Sequence, residues 1–344
     1  MKRNILHRKK AHIDICLNSD VTFGKSNGFE KYEFVHNPLT EVNIDKINFT
    51  TEFLSKTISF PFLISSMTGG TDETLKLNEK LSIVANELNI PIGVGSQRIM
   101  LEDSSTLESF KVIRKNAPNV PVLSNIGAGQ IVKIDDISKL QLITEPIEAD
   151  GMIIHLNPLQ ELLQNEGDKN FSGILNKLAK LKKELNIPLI VKEVGSGMDY
   201  ETGKKLLDAG VDVIDVAGAG GTSWAAVELI RNDDETNYYF KEWGLRTSYS
   251  IREIARLKES NKFVLIGSGG INNFDDAAKA IALGADMVAS AITILKTLDS
   301  KGVEGVIDFI INLFAGIKKI MFLTGSATLT ELQKNKIKKL EELY

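Results

Sequence analysis

The stretch DGMIIHLNPLQE, residues 150–161, contains the pattern that decides the fold of this chain. Its apolar run over residues 152–154 follows an Asp-Gly turn signal, which predicts a short buried β-strand. An imidazole, two carboxamides and a carboxylate then follow within seven residues (His155, Asn157, Gln160 and Glu161). Few structural roles require that mixture at the end of a strand. We infer that the strand presents a site for a polar ligand at its carboxyl end.

The same pattern, a short apolar run followed by a polar or glycine-rich turn and a helical stretch, recurs along the chain. The predicted strands are Phe62–Ser66, Ile92–Gly95, Val122–Asn125, Met152–His155, Leu189–Lys192, Val213–Val216, Val264–Gly267 and Met287–Ser290. Apolar residues recur at helical spacing over Leu75–Leu88 and Asp275–Leu283, which predicts two of the connecting helices. Eight strand–helix units predict an α/β fold, a (β/α)8 TIM barrel. A doubly wound sheet is the competing architecture, but the count of eight favours the barrel.

Three segments are predicted around this repeat. Residues 1–60 form an N-terminal extension, residues 61–333 the barrel, and residues 334–344 a charged C-terminal helix. The connection after the sixth strand, from about Ala217 to Phe263, is long and contains aromatic and charged residues, including Trp224 and Trp243. Insertions of this kind commonly act as lids or interfaces.

Composition narrows the class of protein. The 344 residues are 43% hydrophobic and carry a net charge of -4, which argues against nucleic acid as the main partner. No apolar run reaches 18 residues, so a membrane span is not expected, and the basic N-terminus lacks the apolar core of a secretory signal. A single cysteine, Cys16, excludes an internal disulfide framework. We expect a cytoplasmic protein.

Polar residues and glycines are concentrated where the predicted strands end, which is where TIM barrels place their sites. The segments concerned are Ser65–Gly70, Gly95–Arg98, Ser124–Asn125, His155–Glu161, Lys192–Glu193, Gly218–Ser223 and Gly267–Gly270. The two glycine-rich segments resemble phosphate loops, because glycine lets backbone N–H groups approach an anion closely. A tight turn explains the glycine pair of Gly267–Gly270 about equally well, but the place of this segment in the penultimate unit favours phosphate.

Individual residues leave alternatives open. Lys192 is either a strand-end lysine reaching solvent or a cation serving an anionic group, and we favour the latter. Glu161 is either a solvated helix-start glutamate or a ligand of Mg²⁺, which commonly takes one or two carboxylates plus substrate phosphates. The basic segment with Arg8 and Lys9 is either a solvated arm or a clamp that closes over a diphosphate.

Eight motifs occur in one order between residues 8 and 292. They are Arg8-Lys9-x-x-His12, Ser66–Gly70, Gly95–Arg98, Ser124–Asn125, His155–Glu161, Lys192–Gly195, Gly220–Trp224 and Gly267–Ile271. In this set and order the chain resembles the type 2 isopentenyl-diphosphate isomerases, a flavin-dependent family. The His155–Glu161 motif is the most specific of them, whereas the glycine loops alone fit many flavin barrels.

The resemblance implies a barrel that binds FMN and Mg²⁺ and interconverts isopentenyl and dimethylallyl diphosphate, a step of isoprenoid biosynthesis. It implies that flavin contacts come from Ser66, Met67, Thr68, Ser96, Asn125, Lys192, Thr222, Gly269, Gly270, Ile271, Asn272, Ala291 and Ile292. Substrate contacts are expected from Arg8, Lys9, Ser96, Gln97, Arg98 and Gln160, so the N-terminal extension contributes to the substrate site. His155 and Asn157 are expected to line the site beside Gln160, with Glu161 on the metal.

The resemblance also bears on mechanism and assembly. It implies that reduced FMN carries the proton transfers, with NADPH needed only to reduce the flavin. A homo-oligomer, tetramer or octamer, is expected. Two rivals remain from the residues themselves: an FMN-dependent 2-hydroxy-acid oxidase on the same barrel, which would use His155 and Arg98, and a non-catalytic flavin-binding protein.

Overall fold

Eight parallel strands close into a barrel in the computed structural model, which describes residues 2–334 and 336–343. In all, the described residues form twelve strands, four of which lie outside the barrel. The twelve are β1 Tyr32–Phe34, β2 Thr51–Phe53, β3 Lys56–Ile58, β4 Phe62–Ile64, β5 Ile92–Gly93, β6 Val122–Gly127, β7 Gly151–Leu156, β8 Leu189–Glu193, β9 Val213–Asp215, β10 Val264–Ser268, β11 Met287–Ser290 and β12 Ile337–Lys339. Strands β4 to β11 follow one another around the barrel, and β11 pairs with β4 to close it. The predicted TIM barrel and its eight strands are therefore confirmed.

Helices cover the outside of the barrel and extend beyond it. They are α1 Lys2–Asn18, α2 Asp72–Glu87, α3 Arg98–Glu102, α4 Glu108–Asn116, α5 Ala128–Lys133, α6 Gln141–Thr144, α7 Pro158–Leu163, α8 Ile174–Glu184, α9 Tyr200–Asp208, α10 Trp224–Asn232, α11 Thr247–Ala255, α12 Phe274–Ala282, α13 Ile292–Thr324 and α14 Leu329–Leu332. Helix α13 is interrupted at Gly302, whose φ and ψ are not helical. None of the helices in the described ranges combines the length and apolarity needed to cross a bilayer.

The barrel interior is filled by apolar side chains from the strands. They are Leu63, Leu123, Ile153, Ile190, Val213, Ile266, Met287 and Ala289. Phe53 and Ile58 from the β2–β3 hairpin pack into the same cluster, so the hairpin covers the amino-terminal end of the barrel. Because this end is sealed, a ligand can reach the barrel axis only from the carboxyl ends of the strands.

Strand register sets which side chains meet at that open end. His155 on β7 pairs with Gly127 on β6 and with Lys192 on β8, and Lys192 in turn pairs with Asp215 on β9. Adjacent parallel strands thus bring an imidazole, an ammonium and a carboxylate to one level. His155 and Lys192 at this level line the cavity at the open end of the barrel.

Aspartates before three alternate barrel strands tie the opposite end together. Asp150, Asp212 and Asp286 each accept a 2.8 Å hydrogen bond from a backbone N–H of the preceding strand, and each pairs with a basic side chain. These residues lie away from the open end, so their contribution is to barrel closure.

The N-terminal extension crosses the open end of the barrel. Helix α1 packs against α10, and residues 21–23 then pair with the loop after β9. The N–H of Phe23 donates to the carbonyl of Gly221 (3.0 Å), and the N–H of Ser223 donates to that of Val21 (2.8 Å). The long connection after the sixth barrel strand carries α10 and α11, and the two are separated by an exposed aromatic turn that includes Tyr239.

The predicted C-terminal helix over residues 334–344 is wrong. Residues Ile337–Lys339 form β12, which pairs antiparallel with β1 in the N-terminal extension, and a 3-10 turn, Leu340–Glu342, follows. A charged segment of this length has little apolar surface to stabilise a helix, and isolated short helices are marginal in water. Pairing with β1 gives its backbone groups partners instead.

Candidate active site at the carboxyl ends of the strands

One cavity at the open end of the barrel gathers most of the residues singled out in the sequence. It is lined by Arg8, Lys9, Ser66, Met67, Thr68, Ser96, Arg98, Asn125, His155, Asn157, Gln160, Glu161, Lys192, Thr222, Gly269, Gly270, Asn272, Ala291 and Ile292. These residues come from α1 and from the carboxyl ends of all eight barrel strands with the loops that follow them, so the fold brings together segments that are far apart in the chain.

A cationic wall is formed by Arg8 and Lys9 from α1 together with Arg98 at the start of α3. The Lys9 ammonium donates to the carbonyls of Gly69 and Ser96, the latter at 2.9 Å, and lies 5.5 Å from the centroid of the Phe110 ring. Burial, aided by the charge of Arg8, lowers the pKa of Lys9 to about 7. A bound anion would stabilise the neighbouring positive charges of this wall.

Two carboxylates sit behind the arginines of this wall. Arg98 lies 3.5 Å from the carboxylate of Asp168, and Arg8 lies 3.7 Å from that of Glu166. Burial and the charge of Arg98 both lower the pKa of Arg8, which remains a cation. The arginines are therefore held toward the cavity by ion pairs before any ligand arrives.

Glu161, in α7, is a buried carboxylate beside the cationic wall. One oxygen accepts from the side-chain amide of Asn157 (3.1 Å), and the other accepts from the backbone N–H of Asp168 (2.6 Å). The side-chain oxygen of Asn157 is buried and has no hydrogen-bond partner. No cluster of three metal-ligating acids, histidines or cysteines occurs in the described part of the chain. Glu161 is thus a single carboxylate next to an unsatisfied amide oxygen.

Gln160 is oriented by an acid that sequence reasoning missed. Its amide donates to Glu228 in α10 (3.1 Å), which also lies 3.0 Å from the imidazole of His12 and accepts from Arg231 (2.7 Å). Glu228 is fully buried. Burial opposes its ionisation, but the neighbouring imidazole of His12, the hydrogen bond from Gln160 and the charge of Arg231 outweigh burial and lower its pKa.

His155 is neutral and has a defined tautomer. Its Nδ1 lies 2.8 Å from the side-chain oxygen of Asn125, whose amide nitrogen donates to the carbonyl of Val94. Because the Asn125 oxygen can only accept, Nδ1 carries the proton and Nε2 is left as an acceptor. Burial and then the charges of Lys192 and Lys9 lower the pKa of His155 to about 3.

Lys192 is a buried cation at the centre of the cavity. Its ammonium donates to the carbonyl of Glu193 (2.8 Å). Burial lowers the pKa of Lys192, and the carboxylates of Asp215 and Glu193 oppose that shift. Asp215 accepts from Ser268 (2.5 Å), and its second oxygen is buried without a hydrogen-bond partner.

A second wall of the cavity is made of backbone. A Cβ at Gly270 would lie 2.3 Å from the carbonyl oxygen of Gly220, so the loops after β9 and β10 pack backbone against backbone. Helix α13 begins beside them at Ile292 without a side-chain cap on its first turn. A helix N-terminus with free N–H groups next to glycine loops suits an anion.

Comparison with known proteins assigns the family. The FMN-dependent dehydrogenase family matches residues 140–339. The isopentenyl-diphosphate delta-isomerase of Chlorobaculum parvum is 44% identical over 95% of each chain. That of Sulfurisphaera tokodaii is 40% identical over 97% of this chain and 91% of its own. The chain belongs to the type 2 isopentenyl-diphosphate delta-isomerase family.

Solved structures similar to this family member show the fold alone. A putative lactate oxidase of Pediococcus acidilactici matches with a TM-score of 0.71 at 14% identity, over 98% of this chain and 93% of its own. A flavocytochrome b2 variant matches with a TM-score of 0.68 at 19% identity, over 91% of this chain and 77% of its own. The chain is an isomerase on a barrel that it shares with 2-hydroxy-acid oxidising flavoproteins.

The backbone wall of this isomerase fits the phosphate of FMN, the cofactor that the family match supports. Gly269, Gly270 and the uncapped start of α13 supply N–H donors of the kind that hold phosphate groups. The hydroxyl of Ser66 is buried in the cavity wall without a partner, as expected of a group that awaits a ligand. Lys192 lines the same cavity.

Two predicted contacts lie outside the cavity. Gln97 is fully buried and bonds to Ser124, to the N–H of Asn125 and to the carbonyl of Ile143, so its side chain fastens β6 rather than a substrate. The side chain of Ile271 is buried in the apolar core. In both cases a residue of a strand-end loop buries its side chain in the protein interior and not in the cavity.

The predicted set omits His12, which lines the cavity, and Glu228, which bonds to Gln160 from behind the cavity wall. Glu228 is the only charged residue in the apolar run Trp224–Ile230, and a lone acid on an apolar helix face is the signal that could have identified it. His12 belongs to the motif with Arg8, and its ring packs edge-on against Trp224 at 5.1 Å.

Proposed function

We propose that this isomerase interconverts isopentenyl diphosphate and dimethylallyl diphosphate, using reduced FMN and Mg²⁺. The observation that carries the proposal is one cavity with two anion-binding walls of different chemistry. Glycine loops and a helix start suit the flavin phosphate, while Arg8, Lys9 and Arg98 suit the diphosphate of the substrate. Apolar side chains between them, including Ile13 and Leu77, suit a short alkenyl chain.

The reaction adds a proton at one carbon and removes a proton from another, with no net change in oxidation state. Reduced FMN, when bound, would supply an acid–base centre beside the alkene. The protein's task would be to hold the reacting carbons in place: the cationic wall would bind the diphosphate, and Gln160, whose amide is fixed by Glu228, would border the alkene. Lys192 would stabilise negative charge on the reduced ring.

Glu161 and the unsatisfied oxygen of Asn157 are suited to hold Mg²⁺ together with substrate phosphate oxygens. Mg²⁺ usually binds through one or two carboxylates, substrate phosphates and water, so a single glutamate fits this role. The metal would neutralise diphosphate charge and fix the substrate's position. NADPH is proposed as the reductant of the flavin only.

The proposal is tested by counting turnovers against reducing equivalents. The purified protein, loaded with FMN and reduced once under anaerobic conditions, should convert many equivalents of isopentenyl diphosphate per flavin. Because the isomerisation needs no net electrons, consumption of one NADPH per turnover would contradict this mechanism. Oxygen uptake with lactate or glycolate in place of isomerisation would instead support the 2-hydroxy-acid oxidase.

Lys9 gives this site a pH-dependent signature. In the empty site its pKa is about 7, so at pH 8.5 the amine is mostly neutral. A diphosphate beside it favours the charged form and raises that pKa, so binding at pH 8.5 should take up about one proton. At pH 5.5 the amine is already charged and uptake from Lys9 should vanish. Calorimetric titration in two buffers with different ionisation enthalpies measures the uptake.

The control for this prediction is Lys9→Met, which removes the amine but keeps an unbranched side chain. Its proton uptake at pH 8.5 should be lower than that of the unaltered protein by about one proton, because the titrating amine is absent. An uptake at pH 8.5 equal to that of the unaltered protein would assign the proton to another group.

A further inference from the structure

Two successive peptides of the loop after β10 have their carbonyl groups held by residues outside the barrel strands. The carbonyl of Gly269 accepts from the hydroxyl of Thr247 in α11 (2.6 Å). The carbonyl of Gly270 accepts from the side-chain amide of Asn27 in the N-terminal extension (2.8 Å). Neither Thr247 nor Asn27 lines the cavity, whereas both glycines do.

Peptide geometry then fixes the direction of two donors. In a trans peptide the C=O and the following N–H point in opposite directions. Because Thr247 and Asn27 hold the carbonyls from the side away from the cavity, the N–H groups of Gly270 and Ile271 point away from these two residues. Within the described chain, neither N–H has a hydrogen-bond partner. The φ angles of 104° and 77° at Gly269 and Gly270 are readily adopted only by glycine.

The two holding groups are themselves fixed. The side-chain oxygen of Asn27 accepts from the N–H of Phe29 (3.1 Å), and its amide also donates to Asp276 (3.1 Å), so the amide cannot rotate without losing bonds. The backbone carbonyl of Asn27 accepts from the N–H of Ser248, the residue after Thr247 (3.0 Å). Thr247 is fully buried. The N-terminal extension, helix α11 and the glycine loop after β10 are therefore joined by one set of hydrogen bonds.

We propose that Thr247 and Asn27 are positioning residues for the flavin phosphate: they orient the N–H groups of Gly270 and Ile271 toward it. This inference rests on the proposed use of FMN and extends it to residues that do not touch the cofactor. It gives Ile271 a role through its backbone, although its side chain is buried in the core. It also gives the N-terminal extension a second task beside substrate binding.

The test measures flavin affinity, with riboflavin as the ligand that lacks the phosphate. Thr247→Val keeps the shape of the side chain and removes the hydroxyl, while Thr247→Ser keeps the hydroxyl and serves as the matched control. Loss of one orienting hydrogen bond should weaken FMN binding by about 3- to 10-fold. Quenching of flavin fluorescence by the flavin-free, full-length protein gives dissociation constants for both ligands.

We expect Thr247→Val and Asn27→Ala to bind FMN more weakly than the unaltered protein but to bind riboflavin equally well. Thr247→Ser should match the unaltered protein in its affinity for both flavins. Equal losses for FMN and riboflavin would overturn the proposal, because they would show general damage to the loop. Unchanged FMN affinity in Thr247→Val would also overturn it. If the unaltered protein bound both flavins equally, the proposed phosphate site itself would fail, which is a distinct outcome.

Discussion

The Glu161→Gln variant is expected to lose isomerase activity by on the order of a hundred-fold or more while it retains FMN. The substitution keeps the side chain's size but removes the carboxylate charge beside the unsatisfied oxygen of Asn157. Without that charge the site binds Mg²⁺ weakly, and the diphosphate loses its neutralising partner. The hydrogen bonds of the Glu161 carboxylate go to Asn157 and Asp168, and neither residue belongs to the backbone wall of Gly269, Gly270 and the start of α13.

Activity should be followed over a wide range of Mg²⁺ concentration, with bound flavin monitored by its absorbance. The variant's response should shift to far higher metal concentration. Glu73→Gln is the control, since Glu73 pairs with Lys10 on the surface outside the cavity and its loss should change neither quantity. A Mg²⁺ response in Glu161→Gln like that of the unaltered protein would remove Glu161 from the ligand set.

Replacing Glu228 by alanine is expected to affect both stability and catalysis. Glu228 is fully buried and bonds to Arg231 and Gln160, so its removal leaves a partly buried guanidinium with only the more exposed Glu166 as a partner. Breaking a buried ion pair in this way costs about 3 kcal/mol of unfolding free energy. Gln160 also loses the acceptor that fixes its amide, so the turnover number should fall more than the substrate's KM rises.

Urea unfolding and steady-state kinetics measure the two effects separately. Glu228→Gln preserves shape and one hydrogen-bonding oxygen, so we expect it to lose less stability than the alanine variant. If the alanine variant unfolded at the same urea concentration as the unaltered protein, the ion pair of Glu228 with Arg231 would contribute nothing to stability. An unchanged turnover number would show that Gln160 does not depend on Glu228.

The barrel was predictable because its signal is local. Each strand is a short apolar run with a turn on either side, and Met152–His155 was recognisable without knowledge of its neighbours. The tail was mispredicted for the opposite reason: β12 exists only because β1, about three hundred residues earlier, offers an edge. Strand pairing over such a distance leaves little trace in either segment.

In the site, residue type was predictable and side-chain direction was not. Gln97 and Arg98 are neighbours in one strand-end loop, but one bonds inward to β6 and the other lines the cavity. Glu228 and Asn27 act through other residues: a lone acid in an apolar run is the one sequence signal of Glu228, and no motif marks Asn27. Contacts of that kind follow from packing, and only the coordinates reveal them.

The two anion-binding walls differ in how they should respond to ionic strength. One wall uses formal charges on Arg8, Lys9 and Arg98, and such charges attract any small anion and are screened by salt. The other uses uncharged backbone donors in fixed directions, which discriminate by geometry more than by charge. Rising salt should therefore release substrate well before it releases cofactor, and an enzyme built this way keeps its flavin while its substrates exchange.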